Sequence, residues 1–246
     1  MENNIEIKTE ESHIYDVFVF CGGKCGGVTI ANTLQKNGFI VLHMHSLKYS
    51  GMNDCKFDPK NIYNEMTKSC NNKQKVYFID CYRNPIERKI SSFFQNIENY
   101  LPNYENMDID ELIDNFNRNF YYIMPNNHPI NSVFKYYNLP NFTKFDFENR
   151  YNILENKNQI FIKILFKDIK NWNNILSKIF KKNIIIYSKN ETLHKNIGLL
   201  YKHFLNNYKI PTEFIDDILE NDKEFTIYNT PEEQTNYINE WLLKSY

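Results

Sequence analysis

The chain has 246 residues, 42% hydrophobic and 16% aromatic, which excludes a disordered polymer and leaves ample material for one large α/β core. Lysine and arginine number 29 against 30 aspartates and glutamates, a net charge of −1, so no global basic field points to nucleic acid or an anionic membrane as partner. Any anion must be bound by a local site.

Residues 1–11 lack the basic and apolar regions of a secretory signal, and no apolar run approaches the roughly 18 to 20 residues of a membrane span. A soluble, cytoplasmic protein with a flexible start over residues 1–13 and no membrane insertion is expected. The cysteines, Cys21, Cys25, Cys55, Cys70 and Cys81, are odd in number and show no zinc-like pairing, so reduced thiols and no metal are expected. The run from Tyr15 to Cys21 is apolar, β-branched and aromatic, and ends at glycine, the pattern of a buried strand. A helix follows from Val28 to Asn37, closed by Asn37-Gly38, and Phe39 to Met44 reads as the next strand. Strand, glycine loop, helix and strand make one βαβ unit with parallel strands.

Further along, a helix from Pro59 to Cys70 leads to a strand from Lys75 to Cys81, and Asn84-Pro85 opens a helix with Ile86, Ile90, Phe93, Phe94 and Ile97 on its apolar face. Helices are expected over Asp108 to Tyr122 and Ile130 to Tyr137, inside an aromatic-rich stretch from Tyr100 to Phe147 that proline punctuates. Gln159 to Phe166 reads as a strand, Asp168 to Phe180 as a helix with Asp168 as N-cap, and Asn183 to Tyr187 as a final strand. The remainder is helical over Glu191 to Asn207, Pro211 to Glu220 and Pro231 to Leu243, with an extended piece at Glu224 to Tyr228. No repeat or long linker divides the chain. The expected architecture is one three-layer α/β domain over residues 1–246, a central parallel sheet flanked by helices.

Only 7 glycines are present, and Gly22, Gly23, Gly26 and Gly27 cluster around Lys24. A strand running into such a loop and then a helix gathers backbone N–H groups, a lysine and a helix N-terminus at one point, the arrangement that binds phosphate. Residue order departs from both common phosphate loops. Walker A places lysine after the last glycine, whereas Lys24 precedes Gly26 and Gly27, and the dinucleotide fingerprint needs Gly-x-Gly, which is absent. A second constellation, Arg83-Asn84-Pro85-Ile86-Glu87-Arg88-Lys89-Ile90-Ser91, places two arginines at a strand-to-helix junction. Arginine offers the bidentate fork that lysine lacks, and Ser91 lies about two turns into the helix, so Arg83 and Ser91 are candidates to face one anion. The alternatives are a tight turn with a surface lysine, and a capped helix with a surface charge pattern.

Taken as a pair, Gly-Gly-Lys-Cys-Gly-Gly-Val-Thr and Arg-Asn-Pro-Ile-Glu-Arg-Lys-Ile-Ser resemble the two signatures of the sulfotransferases that use 3′-phosphoadenosine 5′-phosphosulfate (PAPS), nearest the carbohydrate and capsular polysaccharide synthesis branch. The likeness extends more weakly through Ile164 to Asp168 and Thr230-Pro-Glu-Glu-Gln to Trp241. It implies a P-loop-like sulfotransferase fold and transfer of a sulfuryl group to a hydroxyl acceptor, a saccharide, with no metal. In such a reading Lys24 stabilises the leaving phosphate. The backbone of Gly22, Gly23, Lys24, Cys25, Gly26, Gly27 and Val28, with the Thr29 hydroxyl, cradles the 5′-phosphate. Arg83 and Ser91 take the 3′-phosphate, and Arg88 is either a further phosphate contact or part of an internal ion pair. Relatives place a base at the end of the second strand. His45, then His43, are the candidates there, against the alternative of a satisfied buried histidine, with Glu65 and His128 in reserve. Two further readings remain: a P-loop-type nucleotide-dependent kinase, and a non-catalytic nucleotide-binding or scaffold protein of the same fold.

Overall fold

The computed structural model describes residues 13–46, 49–50, 59–121, 129–188 and 197–243. In chain order these form β1 (Val17–Phe20), α1 (Gly27–Lys36), β2 (Val41–Ser46), β3 (Tyr49–Ser50), α2 (Pro59–Asn72), β4 (Val76–Tyr82), α3 (Pro85–Gln95), α4 (Ile97–Tyr100), α5 (Ile109–Asn115) and α6 (Pro129–Tyr136). Then come β5 (Tyr151–Asn156), β6 (Gln159–Leu165), α7 (Trp172–Phe180), α8 (Gly198–Asn207), α9 (Thr212–Asn221), α10 (Lys223–Tyr228) and α11 (Pro231–Leu243). The sheet order is β3-β2-β1-β4-β6-β5. Its central strands β2, β1, β4 and β6 are parallel, while β3 and β5 run antiparallel at the two edges. The molecule is therefore α/β, with a mostly parallel sheet and flanking helices.

The central strands are largely apolar because both faces of the sheet are covered. On one face Val17, Val19, Ile79, Ile162 and Ile164 pack under α1 and α7. On the other, Phe18, Phe78 and Phe161 line up under α2 and α6, their stacked rings 5.3 and 4.9 Å apart. Such ring pairs contribute about 0.5 to 1.5 kcal/mol each beyond the area they bury. A third core joins α3 to α5, α8, α9 and α11 through Phe93, Phe116, Phe204, Phe214 and Trp241. Much of the aromatic stretch from Tyr100 onward is thus core. Between β1 and β4 the strand order reverses, and in open α/β sheets the crevice above the carboxyl ends at that point is where ligands bind.

Several expected elements differ. Residues 183–187 form no strand: the backbone N–H groups of Ile184, Ile185 and Tyr187 donate to the side chains of Ser177, Asn37 and Thr33, so helix side chains take the place of a sheet edge. Residues 224–228 are helical, not extended, because Asp222 caps α10 by accepting from the Phe225 N–H at 3.1 Å. Asp168 does not cap α7. It accepts from the Arg150 guanidinium at 2.9 to 3.2 Å, and a 3-10 turn over Phe166–Asn171 precedes a helix whose N-cap is Asn171. The edge strands β3 and β5 add to the expected sheet; β5 has one buried residue, the polar Asn152, among half-buried and exposed ones, so no buried apolar run marks it. The start of the helix expected from Glu191, and residues 1–12, lie outside the described residues. Among the described residues no helix is long and apolar enough to cross a membrane, and Cys21, Cys25, Cys70 and Cys81 are free thiols.

Candidate functional site

The loop between β1 and α1 is a turn closed by the Cys25 N–H donating to Gly22 O at 3.3 Å, with Lys24 in the left-handed region at φ 66°. A lysine there costs about 1 kcal/mol that glycine would avoid, and such strain is held only where surrounding contacts enforce it. Those contacts come from the second motif. Arg83 Nη1 donates to Lys24 O at 2.9 Å, and Arg88 Nε donates to Gly23 O at 3.1 Å. The arginines after β4 therefore clamp the backbone of the loop after β1. Arg88 is buried on α3, and this bond gives it a carbonyl of the loop as a partner.

The glycines divide by role. A Cβ on Gly27 would lie 2.4 Å from His43 Nε2 and 2.8 Å from Cys21 Cβ, and one on Gly26 would meet Trp172 at 2.8 Å, so these two exist for close packing. Gly23 faces open space, with nothing within 4 Å of a Cβ. The Cys25 N–H closes the turn, and its thiol packs into the core, where burial raises its pKa. The first turn of α1, from Gly27 through Val28 and Thr29, presents the N–H groups that a helix start cannot satisfy internally.

Beside this loop, a cavity of about 100 Å³ is lined by Tyr82, Arg83, Asn84, Glu87, Leu165, Phe166 and Lys167, which follow or end β4 and β6. The Arg83 guanidinium stacks 4.4 Å over the Phe166 ring, and its Nε is buried with no hydrogen-bond partner. Burial raises the pKa of Glu87, while a hydrogen bond from Tyr237 at 2.6 Å and the charge of Arg83 pull it the other way. Lys167 is held by Glu233 at 2.9 Å, Asn229 Oδ1 at 2.8 Å and Tyr228 O at 3.1 Å. Ser91 does not line this cavity; it is buried on α3.

His45 and His43 share one face of β2, their rings 4.7 Å apart. His45 is half-buried, and its Nδ1 lies 3.1 Å from Cys21 O. A carbonyl only accepts, so that bond requires the proton on Nδ1 and leaves the lone pair of neutral imidazole on Nε2, the tautomer a general base needs. His43 is 1% exposed and fills the space beneath Gly27, which makes it a packing residue. Glu65 lies on α2, across the sheet from the histidines. His128 falls outside the described residues.

Under the sheet end, the buried Lys163 bridges buried Asp80 at 2.8 Å and partly buried Glu224 at 3.0 Å, a triad that no local sequence pattern marks. Only the register Asp80↔Lys163 between β4 and β6 brings the first pair together. Cavity residues Glu87, Phe166 and Lys167 were likewise missed as a group, because they meet only when the ends of β4 and β6 lie side by side. Among the described residues no cluster of three His, Cys, Asp or Glu side chains could hold a metal ion. The fold and site together define an α/β protein with a glycine-lysine loop and an arginine clamp at the switch point of its sheet. Comparison with family models, curated proteins and solved structures finds no match.

Proposed function

We propose that this protein is a PAPS-dependent sulfotransferase of P-loop-like fold that acts on a hydroxyl acceptor, a saccharide. The observation that carries the reading is the pair of hydrogen bonds from Arg83 to Lys24 O and from Arg88 to Gly23 O, which makes one unit of two motifs far apart in sequence. The residues present fit a nucleotide with anions at two positions. Gly23 is open, the first turn of α1 supplies amide donors, Lys24 adds a full charge, and Arg83 keeps a buried Nε–H without an acceptor. When bound, PAPS supplies an activated sulfuryl group and a phosphate leaving group.

The chain's own residues supply binding, charge and a proton acceptor. The loop amides and the Thr29 hydroxyl hold the 5′ anion, and Lys24 sets a positive charge where negative charge grows, an effect strongest in a water-poor site. Arg83 takes the 3′-phosphate, the group that distinguishes this nucleotide from ATP. His45 Nε2 receives the acceptor's hydroxyl proton, and the Nδ1–H to Cys21 O bond keeps the ring in that tautomer.

Isothermal titration with 3′-phosphoadenosine 5′-phosphate tests the reading without needing the acceptor. Binding should weaken at least about tenfold in Arg83→Ala, the scale of one lost charge-assisted hydrogen bond. No binding by the wild type, or binding indifferent to Arg83→Ala, would overturn it. Mg²⁺-dependent ATP binding in its place would favour a kinase.

A further inference from the structure

Arg83 makes a single side-chain hydrogen bond to the loop, so its placement depends on whatever holds the turn that carries it. Asn84, the residue at the N-cap of α3, does not cap its own helix. Its Oδ1 instead accepts from Asn229 Nδ2 at 3.0 Å. Asn229 is 2% exposed, and its Oδ1 accepts from Lys167 at 2.8 Å. One buried amide thus bridges Asn84 and Lys167, two walls of the cavity that follow different strands. On the other side of Pro85, the Tyr237 hydroxyl accepts from the Ile86 N–H at 3.0 Å and donates to Glu87 at 2.6 Å. The start of α3 is therefore capped from outside, by a helix more than a hundred residues further along the chain.

We infer that Asn229 and Tyr237 are positioning residues for Arg83: the segment joining α10 to α11, with the part of α11 that carries Tyr237, is a strap that holds the Arg83 turn against the glycine loop. Either side chain acts through a buried polar bond whose loss leaves a partner unsatisfied, Asn84 and Lys167 in one case and the Ile86 N–H and Glu87 in the other. The turn would then be free to relax, and Arg83 would leave its stacked place over Phe166. The role assigned to Arg83 in nucleotide binding rests on the proposed function; the mechanical coupling does not.

The test measures phenylglyoxal labelling of individual arginines by peptide mass spectrometry in the wild type, Asn229→Ala and Tyr237→Phe, alongside titration with 3′-phosphoadenosine 5′-phosphate. Arg118, whose side chain is 75% exposed, calibrates full reactivity. Arg83 should label more slowly than Arg118 in the wild type and speed up about fivefold or more in both variants, with Arg118 unchanged, on the scale of one buried hydrogen bond. Nucleotide affinity should fall by a similar factor. Glu87→Gln by itself, which keeps an acceptor for the Tyr237 hydroxyl, should leave Arg83 labelling at the wild-type rate. An Arg83 rate unchanged in both variants overturns the inference. Faster labelling in a protein that binds no nucleotide would uphold the strap and sink the sulfotransferase reading. Should both variants fail to fold, hydrogen exchange in the wild type decides: an unprotected Ile86 amide would refute the external cap.

Discussion

Replacing Gly27 by alanine puts a methyl 2.4 Å from His43 Nε2 and 2.8 Å from Cys21 Cβ. The histidine is almost fully buried and confined against His45, and the cysteine Cβ is fixed by its bond to the backbone just after β1, so neither can withdraw freely. Overpacking of this kind costs about 1 to 3 kcal/mol. For a chain of this size each kcal/mol lowers the melting temperature by about 2 to 4 °C, so Gly27→Ala should melt roughly 2 to 12 °C below the wild type. Gly26→Ala should be worse, since its methyl would meet Trp172 at 2.8 Å and its φ of 82° adds about 1 to 2 kcal/mol for a left-handed alanine. Gly23→Ala meets nothing within 4 Å and lies outside the left-handed region, so it should melt within about 2 °C of the wild type. Under the proposed function it should nevertheless weaken nucleotide binding, because the methyl occupies the open side of the loop. Differential scanning fluorimetry on the three variants checks the order. If Gly23→Ala were the least stable, or Gly27→Ala melted with the wild type, the division of the glycines into packing and open positions would be wrong.

Lys163→Met should cost about 3 to 5 kcal/mol in urea titration, because Asp80 and Glu224 lose the cation between them, and Asp80→Asn with Glu224→Gln in the same chain should recover most of it. A loss below about 1 kcal/mol would show the triad to be solvated. Lys89, buried on α3 over the Tyr121 ring, has its pKa lowered to about 8 by burial, with Asp217 and Asp222 opposing and Arg88 assisting. Its folded pKa lies below the unfolded value of 10.5, so the folded chain binds fewer protons across that window and the stability due to this group rises with pH from about 8. Melting temperatures of the wild type minus those of Lys89→Met should therefore increase between pH 8 and pH 10, and a constant difference would refute the assignment.

The βαβ start, the buried strands and the helix after Asn84-Pro85 were legible because hydrophobic period and glycine or proline punctuation are local signals. Asn183 to Tyr187 carried the same apolar signal and formed no strand, because donors on a segment can be satisfied by side chains as well as by a sheet edge, and only packing decides which. At the site, sequence alone singled out the loop around Lys24, the arginine pair and His45, since clustering of rare residue types survives in one dimension. What each does there depended on contacts across the fold. Gly26 and Gly27 look like phosphate-loop glycines in sequence and are packing glycines in space, and the carbonyl that Arg88 holds is one no local pattern foretells. No local signal marked Asn229 or Tyr237 as a partner of the Arg83 turn. Their partners lie some 60 to 150 positions away, and no periodicity records a hydrogen bond that exists only once the last helix has closed over the carboxyl ends of the sheet.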